Sequence, residues 1–503
     1  MTSHYNGPSV NYIDGEWVSG GTQLFKTTNP ANPDEIIGIF PESTPEHLDR
    51  AIAAAKKAFP AWNDLGLVKR SEYLWRFAKL IEEEFGSLAP MVTMESGKQV
   101  NEAQADVAET LHMCQYAFAK GFIGEAGTVF ADEIAEKLCS EEYRARGIAV
   151  CITPWNFPMA IPLWEIGLTL IYGNVVILKP SEETPYCAHR LAQLIERAKF
   201  PAGVFQLLHG QGEGIGNMLV NHPDVNVVLF TGSYDVGAEL KKQVACFPNK
   251  FFTMETGSKS AVIVADDADM DNLAIPASLA SAWKTAGQRC VSGSRMIVHR
   301  SRIQEFADKF AHFSRRIRVG DPTDPHTFYG PMINRAGVEK GLWFNARAKQ
   351  EGFTILLDRN NEAPPTPNGH WLYPFVYTGE WRSDSSVLRN EAFSPHVAII
   401  PADSIEDAVR IYNDTPYGLS VAVITEDFRK ARYVETHAEA GMIYHDLPCI
   451  GAGVRMAFGG VKASGNLIPS AAGILPAITH RVAITRNYAR KIAMAQGLDI
   501  SVQ

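Results

Sequence analysis

Four apolar runs, IAVCIT (148–153), VVIL (175–178), VFQLL (204–208) and VVLF (227–230), are separated by stretches of helical pattern such as Tyr186–Ala198 and Gly214–Asn221. Each run has the length of a strand buried on both faces, and flanking glycines and prolines bound it. Strand and helix in regular alternation predict βαβ units and a parallel sheet. A second set follows at Ala261–Val264, Arg295–Val298, Phe353–Leu357, Val397–Ile400 and Ser420–Ile424, with helices at Ile303–Ile317 and Ile405–Tyr412. Residues 45–85 read as helix ahead of both sets. The expected fold class is therefore α/β, in two domains that meet near Gly257. Two segments, Glu125–Arg146 and Thr479–Tyr488, read as strands outside either domain, and exposed strand edges invite pairing with another chain.

The bulk numbers narrow the function classes. The chain has 503 residues, 46% hydrophobic and 20% charged, which suits a multidomain globule with no need of a disulfide or metal staple. Net charge is −9, with no basic block, so no nucleic-acid partner is expected. The seven cysteines, Cys114, Cys139, Cys151, Cys187, Cys246, Cys290 and Cys449, are odd in number and contain no CxxC. That pattern points to reduced thiols in a cytoplasmic setting and to no metal site. Met1–Val10 is too short and polar for a signal peptide. The apolar run Ile161–Leu178 is broken by Glu165, Gly167 and Gly173, so it reads as a buried helix–strand unit and not a membrane span.

Three segments carry candidate chemistry. In Ala286-Gly287-Gln288-Arg289-Cys290 a cysteine follows a glycine turn; it is either a small buried hydrophobe or a nucleophile. Glu255, in Met254-Glu255-Thr256-Gly257-Ser258-Lys259, is either a solvated cap or a partly desolvated general base. Asn156, in Pro154-Trp155-Asn156-Phe157-Pro158, either satisfies a turn or donates to an oxyanion.

Together these segments resemble the aldehyde dehydrogenase superfamily. The resemblance runs from Tyr12-Ile13-Asp14-Gly15-Glu16-Trp17 to the C-terminal tail. Its landmarks occur in the family's order: Glu95-Ser96-Gly97-Lys98, Pro154–Pro158, Lys179-Pro180-Ser181-Glu182, Phe230-Thr231-Gly232-Ser233, Glu255–Lys259, Gly287–Cys290, Glu391-Ala392-Phe393 and Phe458-Gly459-Gly460. It implies a Rossmann-like NAD-binding domain from residues 1–124 and 148–257, a catalytic domain over 258–466, and an oligomerisation arm and tail from 125–147 and 479–503. The arm implies a homodimer or homotetramer. Cys290 is then the nucleophile, and the Asn156 amide with the Cys290 N–H forms the oxyanion site. Glu255 activates the water that hydrolyses the thioester.

The same resemblance assigns cofactor binding to Thr153, Pro154, Trp155, Lys179, Ser181, Glu182, Gly232, Ser233, Gly257, Glu391 and Phe393. The cofactor is NAD, with NADP the lesser alternative because Glu182 would face a 2′-phosphate. Substrate contacts fall on Phe157, Ser292, Gly451, Ala452, Arg455 and Phe458. Arg455 beside the Gly451-Ala452 pair points to an aldehyde that bears a carboxylate. Similarity to succinylglutamate semialdehyde and pyrroline-5-carboxylate dehydrogenases supports that class. The alternatives are an enzyme for neutral aliphatic or aromatic aldehydes, and an inactive structural relative. Several positions depart from the family pattern. Thr256 stands where Leu is common, Ser258 where Gly is, and Glu165 where a Lys often follows the tryptophan. The last departure leaves the proton's exit route open.

Overall fold

The computed structural model describes residues 9–451, 453–492 and 494. Two seven-stranded sheets organise it. The first has the order Phe251–Glu255, Val227–Thr231, Ile148–Ile152, Val175–Lys179, Phe205–Leu207, Val10–Ile13 and Glu16–Ser19. Its first five strands run parallel, and the last two add antiparallel. Ile148–Ile152 and Val175–Lys179 are buried at every position, as the unbroken apolar runs require. The helix Ala160–Ile171 is buried along its whole length, including Glu165.

The second sheet has the order Thr354–Asp358, Phe375–Thr378, His396–Ala402, Arg295–His299, Ala261–Val264, Ser420–Ile424 and Met442–His445. Only its first strand is antiparallel to its neighbour. All five strands read from the second set of apolar runs are present. Phe375–Thr378 and Met442–His445 were not foreseen, and neither was the N-terminal hairpin Val10–Ile13/Glu16–Ser19. That hairpin turns at Asp14-Gly15, both with positive φ (54° and 78°), the pairing a tight two-residue turn demands. The two helical stretches read within 45–85, Glu46–Phe59 and Lys69–Phe85, are present as Pro45–Asp64 and the longer Leu67–Ser96. The stretch read as one helix at Gly214–Asn221 opens with a wider turn, Gly212–Gly216, before the helix Asn217–Asn221.

The two outlying segments find each other. Thr479–Asn487 pairs antiparallel with Lys137–Ala145 over nine residues, and Lys137–Ala145 pairs in turn with Gly127–Phe130. Gly127–Phe130 is exposed at all four positions and leaves an unpaired edge, with Val129 68% and Phe130 46% exposed. Residues 493 and 495–503 of the expected tail lie outside the described residues.

Topology decides where side chains converge. The segments that begin at Thr153, Lys179, Thr231 and Glu255 all leave the C-terminal ends of parallel strands in the first sheet. Cys290 and Glu391 lie just before Arg295–His299 and His396–Ala402, at the entering ends of second-sheet strands. Loops at the carboxyl ends of parallel strands are where this class of fold builds crevices.

Candidate active site

A cavity of about 320 Å³ lies where these loops meet. Its walls include Pro154, Trp155, Asn156, Gly232, Ser233, Glu255, Gly257, Cys290, Glu391 and Phe393, so ten residues singled out from sequence share one space. Glycines at its wall pack closely against neighbouring side chains. A Cβ on Gly257 would sit 2.2 Å from Glu391 Oε2, and one on Gly232 would sit 2.5 Å from the Phe230 ring. Ser233 caps the helix Tyr234–Val244, its Oγ accepting from the Val236 N–H, so that helix's N-terminus opens beside the cavity.

Cys290 stands at the end of a tight turn. Thr285, Ala286 and Gly287 have φ of 55°, 54° and 70°, three left-handed residues in succession. Such backbone costs about 1–3 kcal/mol per non-glycine residue and needs outside support. Glu102 supplies it, accepting from the Thr285 N–H (3.0 Å) and Thr285 hydroxyl (3.0 Å) and pairing with the Arg289 guanidinium (3.2 Å). Gln288 completes the brace: its Nε2 donates to the Thr285 carbonyl, and its Oε1 accepts from the Ile333 N–H. Burial, with the carboxyls of Glu391 and Glu255 nearby, pushes the Cys290 thiol up to about 12. The backbone N–H groups of Cys290 and Val291 act in the opposite direction. The Ser258 hydroxyl donates to the Cys290 carbonyl and ties the Cys290 backbone to the loop that follows Glu255.

Glu255 ends the edge strand of the first sheet and is buried. Burial holds its carboxyl well above the usual carboxylate range, and Glu165 nearby adds to the rise. Its Oε2 accepts from the Gly460 N–H at 3.1 Å, while Oε1 has no partner among the described residues. The loop around Gly465 clamps this segment. Thr256 N–H donates to the Ser464 carbonyl, the Thr256 hydroxyl to the Ala463 carbonyl, and the Ser464 hydroxyl to the Gly257 carbonyl. Asn466 bonds both Met254 N–H and Phe252 C=O, as a neighbouring strand would. The departures at Thr256 and Ser258 therefore place hydroxyls that fasten the loop after Glu255.

Asn156 is buried, and its Nδ2 donates to the Gln288 carbonyl at 3.0 Å. A side-chain amide has two N–H donors, so this bond orients the group and leaves the second for another acceptor. Trp155 meets Phe393 edge-on at 5.6 Å. Lys179 and Glu182 lie beyond the cavity wall as an ion pair at 3.0 Å, with Thr153 N–H bonded to the Lys179 carbonyl. Ser181 Oγ accepts from the Glu183 N–H and shapes that turn.

The expected substrate residues are more scattered. Phe157 lies beneath the Lys98 ammonium at 3.6 Å, and Lys98 is locked by a buried ion pair with Asp106. Phe458 is buried and packs on Trp164 at 4.6 Å. Ser292 sits in the turn with Arg289 and faces a small void behind Cys290, not the cavity. Arg455 is exposed and lines a separate groove of about 690 Å³ with Glu109, His112 and Tyr116 of the helix Val100–Ile123. Gly451 accepts from the Tyr444 hydroxyl, and burial raises the Tyr444 phenol to about 12. Ala452 lies outside the described residues.

The aldehyde dehydrogenase family profile matches residues 17–479. The chain belongs to that family. An α-ketoglutaric semialdehyde dehydrogenase of Bacillus subtilis (strain 168) is 33% identical over 459 residues, 91% of this chain and 93% of that one. A malonate-semialdehyde dehydrogenase of Geobacillus kaustophilus (strain HTA426) is 32% identical over 86% of this chain and 88% of its own. A betaine aldehyde dehydrogenase from Staphylococcus aureus, solved in complex with NAD+, superposes with a TM-score of 0.92 at 28% identity and covers 98% of this chain and 97% of its own. The aldehyde dehydrogenase fold and an aldehyde-oxidising activity follow from that membership. Among the described residues of this aldehyde dehydrogenase no metal-binding cluster occurs, and no helix is long and apolar enough to cross a membrane.

Sequence reading missed Glu102, Gln288, Asn334 and Lys340 in this aldehyde dehydrogenase. The last three line the cavity, and Glu102 braces the turn before Cys290. The signal for Glu102 was faint: an acid in the first turn of a helix reads as a favourable end charge.

Proposed function

We propose that this chain oxidises a carboxylate-bearing semialdehyde to the dicarboxylic acid through a thioester on Cys290, with NAD as cofactor. The observation that carries the reading is the meeting of Cys290, Glu255 and Asn156 on one cavity whose small-residue wall admits a cofactor. An orphaned polar atom fits that occupancy: Asn156 Oδ1, on the cavity wall, is buried without a partner among the described residues. Gly232, Ser233, Lys179, Ser181 and Glu182 hold the dinucleotide's phosphates and adenosine ribose, and Glu391 and Phe393 its nicotinamide end. NAD supplies the hydride acceptor.

Cys290 Sγ attacks the aldehyde carbon as thiolate; the cofactor's positive charge, with the backbone N–H groups of Cys290 and Val291, would offset the rise that burial imposes on the thiol, whose proton leaves to solvent. The developing oxyanion is met by the free N–H of Asn156 and the Cys290 backbone N–H. After the thioester forms, Glu255 removes a proton from water, which adds to the acyl carbon as the C–S bond breaks. The semialdehyde class is supported by the named relatives. Residues 1–124 and 148–257 form the cofactor-binding unit, and 258–466 the catalytic unit. The exposed edge Gly127–Phe130 offers a second copy a strand to pair with, which supports a homodimer or homotetramer. All seven cysteines are unpaired, which suits a reducing, cytoplasmic compartment.

The test is a panel of neutral and carboxylated aldehydes, each offered with NAD while NADH absorbance is followed, for the wild type and Cys290→Ala. Carboxylated semialdehydes are expected to lead, and Cys290→Ala to lose all oxidation. Retention of more than a few per cent in that variant would overturn the mechanism, and faster oxidation of neutral aldehydes would overturn the substrate class.

A further inference from the structure

Asn334 uses both ends of its amide. Its Oδ1 accepts from the Gly337 N–H at 2.8 Å and caps the helix Arg335–Gln350. Its Nδ2 donates to Glu183 Oε1 at 2.6 Å, across 151 residues of chain. Capping needs only an oxygen, so the helix does not account for the second bond. Glu183 is partly buried and forms no ion pair among the described residues. Burial raises its carboxyl above the usual range against the pull of the Asn334 amide, and Glu182 adds to the rise. The position of the bond gives it a use. Glu183 follows Lys179–Glu182, the turn at the C-terminal end of Val175–Lys179 to which the adenosine ribose is assigned. Asn334 lines the cavity with Ala336, Gly337 and Lys340 of the helix it caps, and Glu391 and Phe393 line the same cavity. The bond thus fastens a wall of the nicotinamide end to the turn of the adenosine end. The wall is also tied inward, because the Ile333 N–H donates to Gln288 Oε1 at 3.0 Å. That tie holds it to the nucleophile's turn whether the outer bond is made or broken.

We propose that Glu183 and Asn334 form a clasp beside the dinucleotide that opens for the cofactor to enter or leave, so that this one bond sets the exchange rate. The proposal rests on the cofactor reading above. Both are positioning residues, and neither touches a reacting atom. The bond joins two parts of the protein and not protein to cofactor. It therefore gives the dinucleotide no affinity of its own, and it changes how often the way out is open. Breaking it should speed entry and departure alike and leave the equilibrium between them in place. That pattern separates a clasp from a residue that contacts the cofactor, whose loss acts mainly on departure.

The test reads NADH binding, not turnover. Stopped-flow NADH fluorescence gives association on mixing with enzyme, and dissociation when the complex is chased with excess NAD+. Glu183→Ala removes the acceptor. Asn334→Ser keeps a capping oxygen for the Gly337 N–H but is too short to reach Glu183, and it decides alone if Glu183→Ala does not fold. Each variant is expected to raise both rate constants about tenfold, the scale of one charge-assisted hydrogen bond, with Kd held within about twofold. The double variant should match the single ones, because all three lack the same bond. Glu183→Gln keeps a carbonyl acceptor for the Asn334 amide and should return both rates to within about twofold of wild type. Wild-type rates in Glu183→Ala and Asn334→Ser overturn the clasp alone. So does a rise in dissociation with no rise in association, or a double variant in which the two effects multiply. A wild type that takes up no NADH overturns the cofactor reading, and the clasp with it.

Discussion

Glu102 receives the backbone N–H of Thr285 on both carboxylate oxygens, at 3.1 and 3.0 Å, across 183 residues of chain. The bond holds a left-handed, non-glycine residue five positions before the nucleophile. Glu102→Ala should leave a buried N–H and the Arg289 guanidinium without their acceptor, a loss of roughly 2–3 kcal/mol. We expect a lower melting temperature, and a fall in kcat larger than the change in KM for NAD, because the cavity's cofactor wall is made elsewhere. Calorimetry with steady-state kinetics checks it, and wild-type kcat would show that the turn needs no brace.

Glu255→Gln keeps the shape of the base but cannot take a proton. Hydride transfer precedes hydrolysis, so one equivalent of NADH should appear in a burst while turnover falls about 10²-fold or more. The pH profile gives the sign. Burial raises the Glu255 pKa, and only its ionised form acts as base. Wild-type turnover should therefore rise with pH through a limb well above the usual carboxylate range, and that limb should vanish in Glu255→Gln. Stopped-flow absorbance across pH measures both features; a limb that survives the substitution assigns it to another group.

Glu182 forms an ion pair with Lys179 at 3.0 Å, beside the strand end where the adenosine ribose is proposed to lie. A 2′-phosphate would meet that carboxylate, so kcat/KM should favour NAD over NADP by at least about tenfold, roughly 1.4 kcal/mol. Glu182→Gln removes the repulsion and should shrink the ratio several-fold. Equal efficiency of the two cofactors in the wild type refutes the role of Glu182.

Arg455 faces Glu109, His112 and Tyr116 across the outer groove. With a carboxylated semialdehyde, Arg455→Ala should raise KM about ten- to a hundredfold, equivalent to roughly 1.4–2.8 kcal/mol for one charge-assisted contact. With a neutral aldehyde of similar length KM should hardly move. Equal effects on the two substrates would place Arg455 outside recognition.

The parallel sheets were legible because buried strands leave unbroken apolar runs, as in VVIL at 175–178. Glu16–Ser19 and Met442–His445 left no such trace, since edge strands are only half covered and mix polar with apolar residues. The Asp14-Gly15 dipeptide was a usable hairpin signal for the first of them. Reacting groups were legible only as a constellation; singly, Cys290 or Glu255 reads as an ordinary core or cap residue. The braces were not legible at all. Glu102 acts on Thr285, and Gly460 on Glu255, across sequence gaps that no local pattern encodes. Thr285 and Ala286 adopt φ values their residue types rarely take, so only Gly287 hinted at the turn.

The clamp that Ala463, Ser464, Gly465 and Asn466 place on the base has a consequence for biogenesis. A nascent chain exposes Cys290 long before it reaches the segment that seats Glu255, because domains form from the N-terminus as synthesis proceeds. Until residue 466 has left the ribosome, the edge strand Phe251–Glu255 lacks the Asn466 bonds that cover its free side, and Glu255 lacks the Gly460 N–H. A truncated product that ends before this loop therefore carries the sulfur without a seated base. An acyl group delivered to such a chain by an acylating agent would be lost only slowly, so an unfinished chain would trap acyl groups rather than turn them over.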